Sequence, residues 1–270
     1  MPIETQSYAL DHFQDAEAQV DQPKVPTCQL QRFCRHVSSD IGDGLLAEVE
    51  LTLLTLATGM QDVTTFPDYH CFVSNQTGNT VLLMASVSGL DRDKRLFVPA
   101  NTGVALVCFV AAVWVVGQLG HVLGDRNRIW LIANQVFQII LVFAAAGLQH
   151  HVGVETTTSS DLGVLALLAT AVGAQVTISR ALKINEISTA MATAAWVDLF
   201  FDPNLFVRGN RMRNRRIVFL AALVVGALIG SFVKVYQSSE LALVLSAFIK
   251  IVVAILLLFN TPGKRAATAD

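Results

Sequence analysis

The sequence predicts an all-α protein, a polytopic transmembrane helix bundle, and three observations lead to this fold class. Of the 270 residues, 53% are hydrophobic and only 15% are charged, whereas charged residues make up about a quarter of an ordinary soluble domain. Several uncharged apolar runs approach the ~20 residues that a helix needs to cross a bilayer. These runs are continuous rather than alternating in polarity, which argues against a β-barrel.

Two polar segments flank the predicted transmembrane domain, which covers residues 45–260. Residues 1–44 carry seven acidic side chains and lack the basic flank and apolar core of a cleaved signal peptide. Such a composition is typical of a flexible tail. Residues 261–270 form a second polar tail. The four cysteines lack metal-ligand or redox spacing, so we expect neither a disulfide framework nor a metal site.

The first half of the domain, repeat one, covers residues 45–149. In its opening apolar run, Glu48 and Glu50 are expected to mark the water boundary. Pro67 should break this helix, because proline lacks a backbone N–H and clashes with the preceding turn. The four apolar segments of this half are 45–66, 72–90, 98–122 and 129–149.

The second half, repeat two, covers residues 162–260 and follows the same order. Its first span leads into the break KINE at 183–186. The apolar piece after that break is short against the ~20 residues that a helical crossing needs. The four apolar segments of this half are 162–180, 187–201, 217–236 and 241–259.

Two span counts are compatible with these segments. If 72–90 and 187–201 both cross, the bundle has eight membrane helices and a parallel repeat. If both only dip into the bilayer, it has six full spans plus two shorter broken or re-entrant helices, and the repeat is inverted. The short length of 187–201 favours six. The loop 150–161 also favours six, because it carries no lysine or arginine and would then lie outside, whereas the basic loop 91–95 would also lie outside, which charge disfavours.

The distribution of basic residues predicts the orientation in the membrane. Cytoplasmic loops carry an excess of lysine and arginine. The loop 202–216 and the C-terminal tail are therefore predicted to be cytoplasmic, which leaves 237–240 outside. The arginines of this loop are Arg208, Arg211, Arg213, Arg215 and Arg216.

The two halves of the domain share a sequence pattern. GMQ at 59–61 is echoed by GAQ at 173–175. Each tripeptide is followed by a break and then by a helix rich in serine and threonine, with Thr-Gly at 77–78 and Thr-Ala at 193–194. The pattern indicates an internal duplication. Chance recurrence of small and polar residues in membrane helices is the alternative.

Two motifs of the first half resemble a known family. GMQD at 59–62 and SNQTGN at 74–79 resemble the YoaK/DUF1275 family of small integral membrane proteins. EISTAMATAAWVDLFFDP at 186–203 resembles the second half of a fungal-type member. The resemblance covers roughly residues 45–260 and implies an architecture similar to that of a transporter, without an established activity. Ala194 departs from the family's Thr-Gly pattern, so the two halves need not be chemically equivalent.

Polar side chains interrupt the apolar segments where the halves repeat. In hydrocarbon an unsatisfied polar group is costly, so these groups should face the protein interior or a water-filled cavity. Broken helices whose ends point into a cavity form the midplane sites of secondary transporters. A tightly packed hairpin with internally satisfied groups is the alternative. The predicted substrate or ion site lies between 58–79 and 173–193 and comprises Thr58, Gln61, Asp62, Asn75, Thr77, Gly78, Asn79, Gln175, Thr189 and Thr193.

Asp62 and Lys250 are the two charges that the sequence places deepest in the apolar segments. Asp62 follows Thr58 by one helical turn, and Lys250 lies in the middle of the last span. A buried lysine needs an acceptor, so a direct ion pair between Asp62 and Lys250 is one option. The other is a substrate- or proton-linked role for Asp62, because a carboxylate within the membrane is rarely kept without a function.

Several other residues are expected to be structural. Asn134 and Gln138 lie four residues apart on one helix face and should form hydrogen bonds between helices. Asp198 should pair with the nearby arginines. Gly226 and Gly230 form a GxxxG motif, which brings membrane helices close together and offers one route to an oligomer.

The function that these features favour is a small secondary transporter or permease for a small-molecule or ion substrate. A non-transporting membrane scaffold or accessory subunit is the alternative. No P-loop, dinucleotide fingerprint, nucleophile elbow or zinc-protease motif is present in the sequence. We therefore predict that the protein is not an enzyme, has no cofactor and binds no nucleic acid, and that its main partner is the lipid bilayer.

Overall fold

The computed structural model describes residues 40–42, 44–90, 98–153 and 159–260. Helices dominate this part of the chain, as predicted. Their lengths range from 10 to 26 residues. The eight helices of the described residues are α1 (Leu45–Tyr69), α2 (Gln76–Val87), α3 (Pro99–Leu123), α4 (Arg128–Val152), α5 (Ser159–Leu182), α6 (Ala192–Phe201), α7 (Arg211–Tyr236) and α8 (Ser239–Phe259).

Five of the eight described helices are long and apolar enough to cross a membrane by length and composition: α3, α4, α5, α7 and α8. The protein is therefore a multi-pass membrane protein, as predicted. Helix α1 is also 25 residues long, but four carboxylates make it less apolar. Helices α2 and α6 have 12 and 10 residues. At ~1.5 Å per residue they span about 18 and 15 Å, less than the ~30 Å hydrocarbon core.

Three predicted helix boundaries were wrong. Helix α1 continues through Pro67 and ends at Tyr69, because a proline in the last turn removes only one donor; the chain leaves the helix where His70 adopts a φ of 53°. Helix α6 begins at Ala192 rather than at 187. Helix α7 begins inside the predicted loop 202–216, because the side chain of Asn210 caps it by accepting a hydrogen bond from the backbone N–H of Arg213 at 3.0 Å.

Contacts near the helix ends fix the relative directions of the helices. Near its start, α1 carries Glu48, which is 2.8 Å from Arg215 near the start of α7. Near its end, Asp68 forms an ion pair with Lys234 near the end of α7. Helices α1 and α7 are therefore parallel. Helix α8 is antiparallel to them, because Asn260 directly after α8 bonds Glu50 near the start of α1.

The second set of helices is arranged by similar contacts. Arg126, just after α3, donates to the carbonyl of Leu182 at the end of α5 at 2.6 Å, so α3 and α5 run in the same direction. Arg128 at the start of α4 donates to the carbonyl of Asn260 after α8 at 2.5 Å, so α4 and α8 are antiparallel. Helices α1 and α8 also pack together, and so do helices α4 and α5.

Glycines provide the closest helix contacts. A Cβ atom on Gly173 of α5 would lie 2.7 Å from the carbonyl oxygen of Phe109 in α3. A Cβ atom on Gly59 of α1 would lie 2.9 Å from the backbone nitrogen of Ala227 in α7. Real Cβ atoms do not tolerate such distances, so these glycines are what allows the backbones to approach.

The GxxxG motif of α7 also faces α1 and not the outside. A Cβ atom on Gly230 would lie 2.8 Å from Cα of Met60, and one on Gly226 would collide with the backbone of Leu56. Both glycines are buried. The predicted oligomer contact through Gly226 and Gly230 is therefore wrong, because this surface is already occupied within one chain.

Part of the predicted N-terminal tail is ordered. Ile41 is fully buried, and its backbone N–H donates to the carbonyl of Arg126 at 2.9 Å. Asp40 forms an isolated β-bridge with Asn127 in the turn between α3 and α4. These contacts attach residues 40 and 41 to the turn between α3 and α4. The rest of the segment 1–44, apart from 42 and 44, and the tail 261–270 lie outside the described residues.

Candidate functional site

A cavity of about 680 Å³, whose wall combines polar and apolar side chains, lies where the two helix breaks meet, and we call it the polar cavity because a carboxylate, amides and hydroxyls line it. The first break, 70–75, separates α1 from α2, and the second, 183–191, separates α5 from α6. Four residues of the predicted site line the cavity. They are Asp62, Asn75, Thr77 and Thr193, and among the other lining residues are Ser74, Gln76, Phe109, Val176, Met191 and Asp198.

Asp62 ties the first break to α1. Its Oδ1 atom accepts the backbone N–H groups of Val73 and Ser74, both at 3.0 Å, and its Oδ2 atom accepts the hydroxyl of Ser74. These bonds draw the chain after the break back along α1 by two turns. The carboxylate lies just before the start of α2, where the positive end of the helix dipole favours a negative charge.

Two asparagines complete the first break and have different roles. Asn75 caps α2, since its Oδ1 atom accepts the backbone N–H of Gly78 at 3.1 Å. Asn79 is fully buried and bonds both backbone groups of Phe72, at 2.9 Å through Oδ1 and at 2.6 Å through Nδ2. Asn75 and Thr77 are exposed toward the cavity, whereas Asn79 holds the turn closed.

The second break has no carboxylate at the position that corresponds to Asp62. The residue after Gln175 is Val176, which contributes an apolar side chain to the cavity wall. Thr189 is not helical: it has a φ of 58°, it is fully buried, and its hydroxyl has no hydrogen-bond partner among the described residues. Of the two predicted threonines, only Thr193, in the first turn of α6, lines the cavity. Thr189 and Thr193 therefore do not lie on one face of a helix, because α6 begins after Thr189.

Three other predicted site residues, Thr58, Gln61 and Gln175, are buried and do not line the cavity, and two of them, Thr58 and Gln175, belong to one polar network. Lys250 of α8 is fully buried and donates to Gln138 Oε1 at 2.9 Å and to Gln175 Oε1. Gln175 in turn donates to Thr58 Oγ1 at 2.8 Å. Gln61 reaches α8 independently, through Ser246 Oγ at 3.1 Å. This network, here called the Lys250 network, joins α1, α4, α5 and α8.

The Asp62–Lys250 ion pair is not formed. Each charge has other partners: Asp62 bonds the first break, and Lys250 bonds the amide oxygens of Gln138 and Gln175. No described carboxylate lies within ion-pair distance of Lys250. The sequence could not exclude the pair, because it places both charges in apolar segments without giving the rotation of α1 about its axis.

Hydrogen bonding between helices through Asn134 and Gln138 is confirmed. Gln138 donates to Asn134 Oδ1 at 3.4 Å, and Asn134 donates to the carbonyl of Ala174 in α5 at 3.1 Å. Gln135, which was not predicted to have a role, donates to the carbonyl of Lys250 at 3.1 Å. The amide side chains of α4 therefore surround Lys250 on two sides.

A second buried polar cluster was missed. Glu50 is 1% exposed, so it does not mark the water boundary as predicted. It accepts Asn260 Nδ2 at 3.1 Å, and the fully buried Arg128 donates to the Asn260 carbonyl. No sequence spacing links these residues, because each comes from a different helix end.

Several other charges near helix ends are paired. Asp198 lies 3.7 Å from Arg216, as expected, and Lys234 pairs with Asp68. In the α6–α7 loop, the backbone N–H of Asn204 and the side chain of Asn210 hold the pKa of Asp202 below its ordinary value. Among the described residues, no three histidine, cysteine or carboxylate side chains lie close enough to hold a metal ion.

The fold and the site define a multi-pass helical membrane protein in which two interrupted helices border a polar cavity. The chain belongs to the family described as Protein of unknown function (DUF1275), whose family model matches residues 51–256. The match agrees with the resemblance carried by GMQD and SNQTGN. Neither a curated protein nor a solved structure matches the chain significantly. That the chain is a fungal-type member stays a prediction.

Proposed function

We propose that this protein is a small secondary transporter or permease and that its substrate site is the cavity between the two helix breaks. One observation carries the proposal: Asp62, Asn75 and Thr77, at or beside the first break, and Thr193, just after the second break, line one cavity of about 680 Å³. Secondary transporters bind their substrates where discontinuous helices from two repeats meet. No catalytic role is proposed for these residues.

The helix packing supports an inverted repeat of two halves. In such a repeat α1 would correspond to α5, α3 to α7 and α4 to α8. The α1–α7 contact would then correspond to the α5–α3 contact, and the α1–α8 contact to the α5–α4 contact. All four contacts are present. Gly59 and Gly173 lie at corresponding contacts. Because α1 and α5 run in opposite directions, the halves would have opposite topology, with six full spans and with α2 and α6 as re-entrant helices.

The carboxylate, amide and hydroxyl groups among the apolar side chains of the cavity wall favour a small substrate with polar groups or an ion. Asn75 and Thr77 are exposed within it. Exposed polar groups at membrane depth are retained where they line an aqueous path. The charge distribution further supports an orientation with the arginine-rich start of α7 in the cytoplasm.

Uptake into proteoliposomes tests the proposal. Purified protein is reconstituted and assayed with a panel of radiolabelled small solutes under proton and sodium gradients. We expect flux of at least one solute. In a background without native cysteines, a charged methanethiosulfonate reagent should block this flux in Asn75→Cys and in Thr193→Cys.

Thr80→Cys is the matched control, because Thr80 is exposed on the same helix as Thr77 but does not line the cavity. Its modification should leave flux intact. Folded protein that moves no solute under any gradient would count against transport. Flux that survives modification of both cavity cysteines would place the pathway elsewhere.

The alternative function, a non-transporting scaffold or accessory subunit, is favoured by one observation. Asp62 and Asn79 form hydrogen bonds with the backbone of the first break, as expected of residues that only stabilise the break. This alternative predicts that the cavity cysteines remain unreactive in membranes and that the protein co-purifies with a fixed partner.

A further inference from the structure

A second cavity of about 610 Å³ forms a groove along the outer side of α3, between α3 and the adjacent parts of α4 and α5. We call it the α3 groove. Its apolar wall includes Val110, Val113, Trp114 and Gly117. Val110 and Trp114 are among the most exposed apolar side chains of this helix, at 56% and 66%. In a membrane this wall would face lipid, because α3 is an apolar helix long enough to cross.

The groove has the length and chemistry of an acyl-chain site. From Phe109 to His121 it follows α3 for twelve residues, or about 18 Å at the helical rise. Inside the bilayer an acyl chain binds such a wall through van der Waals packing and not through transfer out of water, because the surrounding lipid is equally apolar. Phe109 and Val176 line both this groove and the polar cavity, so an occupant of the groove would pack against the wall of the proposed transport site.

One end of the groove is basic. Arg180 and Lys183, at the end of α5, line it there, together with the His121–Asp125 pair. Neither Arg180 nor Lys183 forms an ion pair with a described residue; the recorded contact of the Arg180 guanidinium is with the Met191 sulfur at 3.2 Å.

Other arginines of the described chain already have partners: Arg126 donates to the carbonyls of Ala181 and Leu182 at the end of α5. Arg211, Arg215 and Arg216 pair with carboxylates, two of which are Glu48 and Asp198. Arg180 and Lys183 are exposed, and no described carboxylate pairs with either of them, so both are open to an external anion at the α3 groove.

Trp130 adds a neutral donor to this end of the groove. Its indole nitrogen faces α3 and would lie 3.0 Å from a Cβ atom on Gly120. The indole N–H donates to no described residue, although a tryptophan indole that is partly buried usually has an acceptor. Guanidinium, ammonium and indole N–H groups together suit the oxygens of a phosphodiester.

We propose that the α3 groove binds one anionic phospholipid of the surrounding bilayer, with the acyl chain along Val110 to Gly117 and the phosphate beside Arg180, Lys183 and Trp130. Basic pockets between membrane helices are the typical sites of anionic lipid head groups. The site is independent of whether the protein transports a solute.

Tryptophan fluorescence in vesicles tests this site directly. The chain has three tryptophans, of which Trp114 and Trp130 line the groove and Trp196 does not. The variant Trp114→Phe/Trp196→Phe leaves only Trp130 as a reporter. In phosphatidylcholine vesicles, brominated phosphatidylglycerol should quench Trp130 at a several-fold lower mole fraction than brominated phosphatidylcholine. The Trp196-only variant is the control and should not discriminate between the two lipids.

Charge and volume are then changed separately. Arg180→Gln and Lys183→Gln should each weaken the phosphatidylglycerol preference by about fivefold, since a basic residue near anionic lipid contributes on the order of 1 kcal/mol. Arg208→Gln, which removes an exposed arginine outside the groove, should not. Gly117→Phe should abolish the preference by filling the groove. Gly103→Phe on the same helix is its control, because the space beside both glycines is open.

Equal quenching by both lipids would overturn the proposal, and so would a phosphatidylglycerol preference that survives Arg180→Gln, Lys183→Gln and Gly117→Phe. A preference lost equally in Gly117→Phe and in Gly103→Phe would also count against it, because the effect would then come from α3 and not from the groove.

Discussion

Asp62 in α1 accepts both the backbone N–H and the hydroxyl of Ser74, the residue that precedes the cap of α2. Two helices that are separate in the chain are thus joined by one carboxylate at the edge of a polar cavity. The negative charge that suggested a substrate-binding group is the same one that holds the break together. Its effects on stability and on transport therefore have to be measured separately.

The first prediction concerns Asp62 and stability. Asp62→Ala should lower the free energy of unfolding by roughly 2 to 6 kcal/mol, because it leaves the N–H groups of Val73 and Ser74 without an acceptor, at about 1–3 kcal/mol each. Asp62→Asn keeps an oxygen for both N–H groups and removes a charge from a largely buried position. It should change stability by less than about 1 kcal/mol.

Thermal unfolding in detergent measures both changes, and Asp198→Ala, which removes a largely exposed carboxylate at the same cavity, is the control. Equal losses in Asp62→Ala and Asp62→Asn would mean that the charge, and not the hydrogen-bond acceptor, holds the break. An Asp62→Asn protein that is stable but inactive in uptake would support a role in transport.

The second prediction is that Asp62 and Lys250 act independently. They share no hydrogen-bond partner, so the effects of Asp62→Asn and Lys250→Met on stability should add within about 0.5 kcal/mol. Lys250→Met and Gln175→Leu should instead be coupled by about 0.5–3 kcal/mol, because Lys250 donates directly to Gln175.

Both double-mutant cycles are measured on the same purified protein by thermal or denaturant unfolding. If Lys250→Met restored the stability of an Asp62→Asn protein, the two charges would have to interact in the membrane. Such an interaction would contradict the separate hydrogen-bond partners of Asp62 and Lys250.

The third prediction concerns the packing of α7 on α1. Gly226→Ala should destabilise the protein by about 1–3 kcal/mol, because the added methyl group must displace the backbone of α1 at Leu56. Gly147→Ala in α4 is the matched control: the space beside it is open, so alanine should be neutral or stabilising by about 0.5–1 kcal/mol.

Sedimentation or light scattering in detergent accompanies this test. The oligomeric state should be the same for Gly226→Ala and for the wild-type protein, because Gly226 faces α1 of its own chain. A change of oligomeric state without a change in stability would instead indicate that the GxxxG motif lies at an interface between copies of the chain.

The fourth prediction decides the topology. Single cysteines are placed at Asn127, Asn204 and Ser238 in a background without native cysteines and are labelled in sealed vesicles with a membrane-impermeant maleimide. With six spans and re-entrant α2 and α6, Asn127 and Asn204 lie on the same side and Ser238 on the other. With eight spans, Asn127 and Asn204 lie on opposite sides, which would refute the inverted repeat.

Much of the fold followed from the sequence, because apolar run length and composition are properties of single segments. All eight helices of the described residues correspond to predicted segments. The two breaks are also local, since capping by Asn75 and the turn at Lys183 depend on nearby residues. The boundary at Pro67 was wrong because one missing donor near a helix end does not by itself end a helix.

The predicted site divides into two groups that the sequence could not separate. Asp62 and Thr193 line the cavity, whereas Thr58 and Gln175 bind to the Lys250 network. Helical spacing tells which residues share a face of one helix. It does not tell which neighbouring helix that face meets, and here adjacent residues of α5, Gln175 and Val176, belong to different sites.

The sequence by itself determined that this is a multi-pass helical membrane protein with two broken helices and one deep lysine, because hydrocarbon imposes length, polarity and backbone satisfaction on each segment separately. Only the tertiary structure decided the partners. Lys250 forms hydrogen bonds with two glutamines and not an ion pair with Asp62. Gly226 packs against α1 of its own chain and not against a second copy. The physical reason is that hydrogen bonds and close backbone contacts depend on the rotation and crossing of helices, and these are set by the packing of all helices at once.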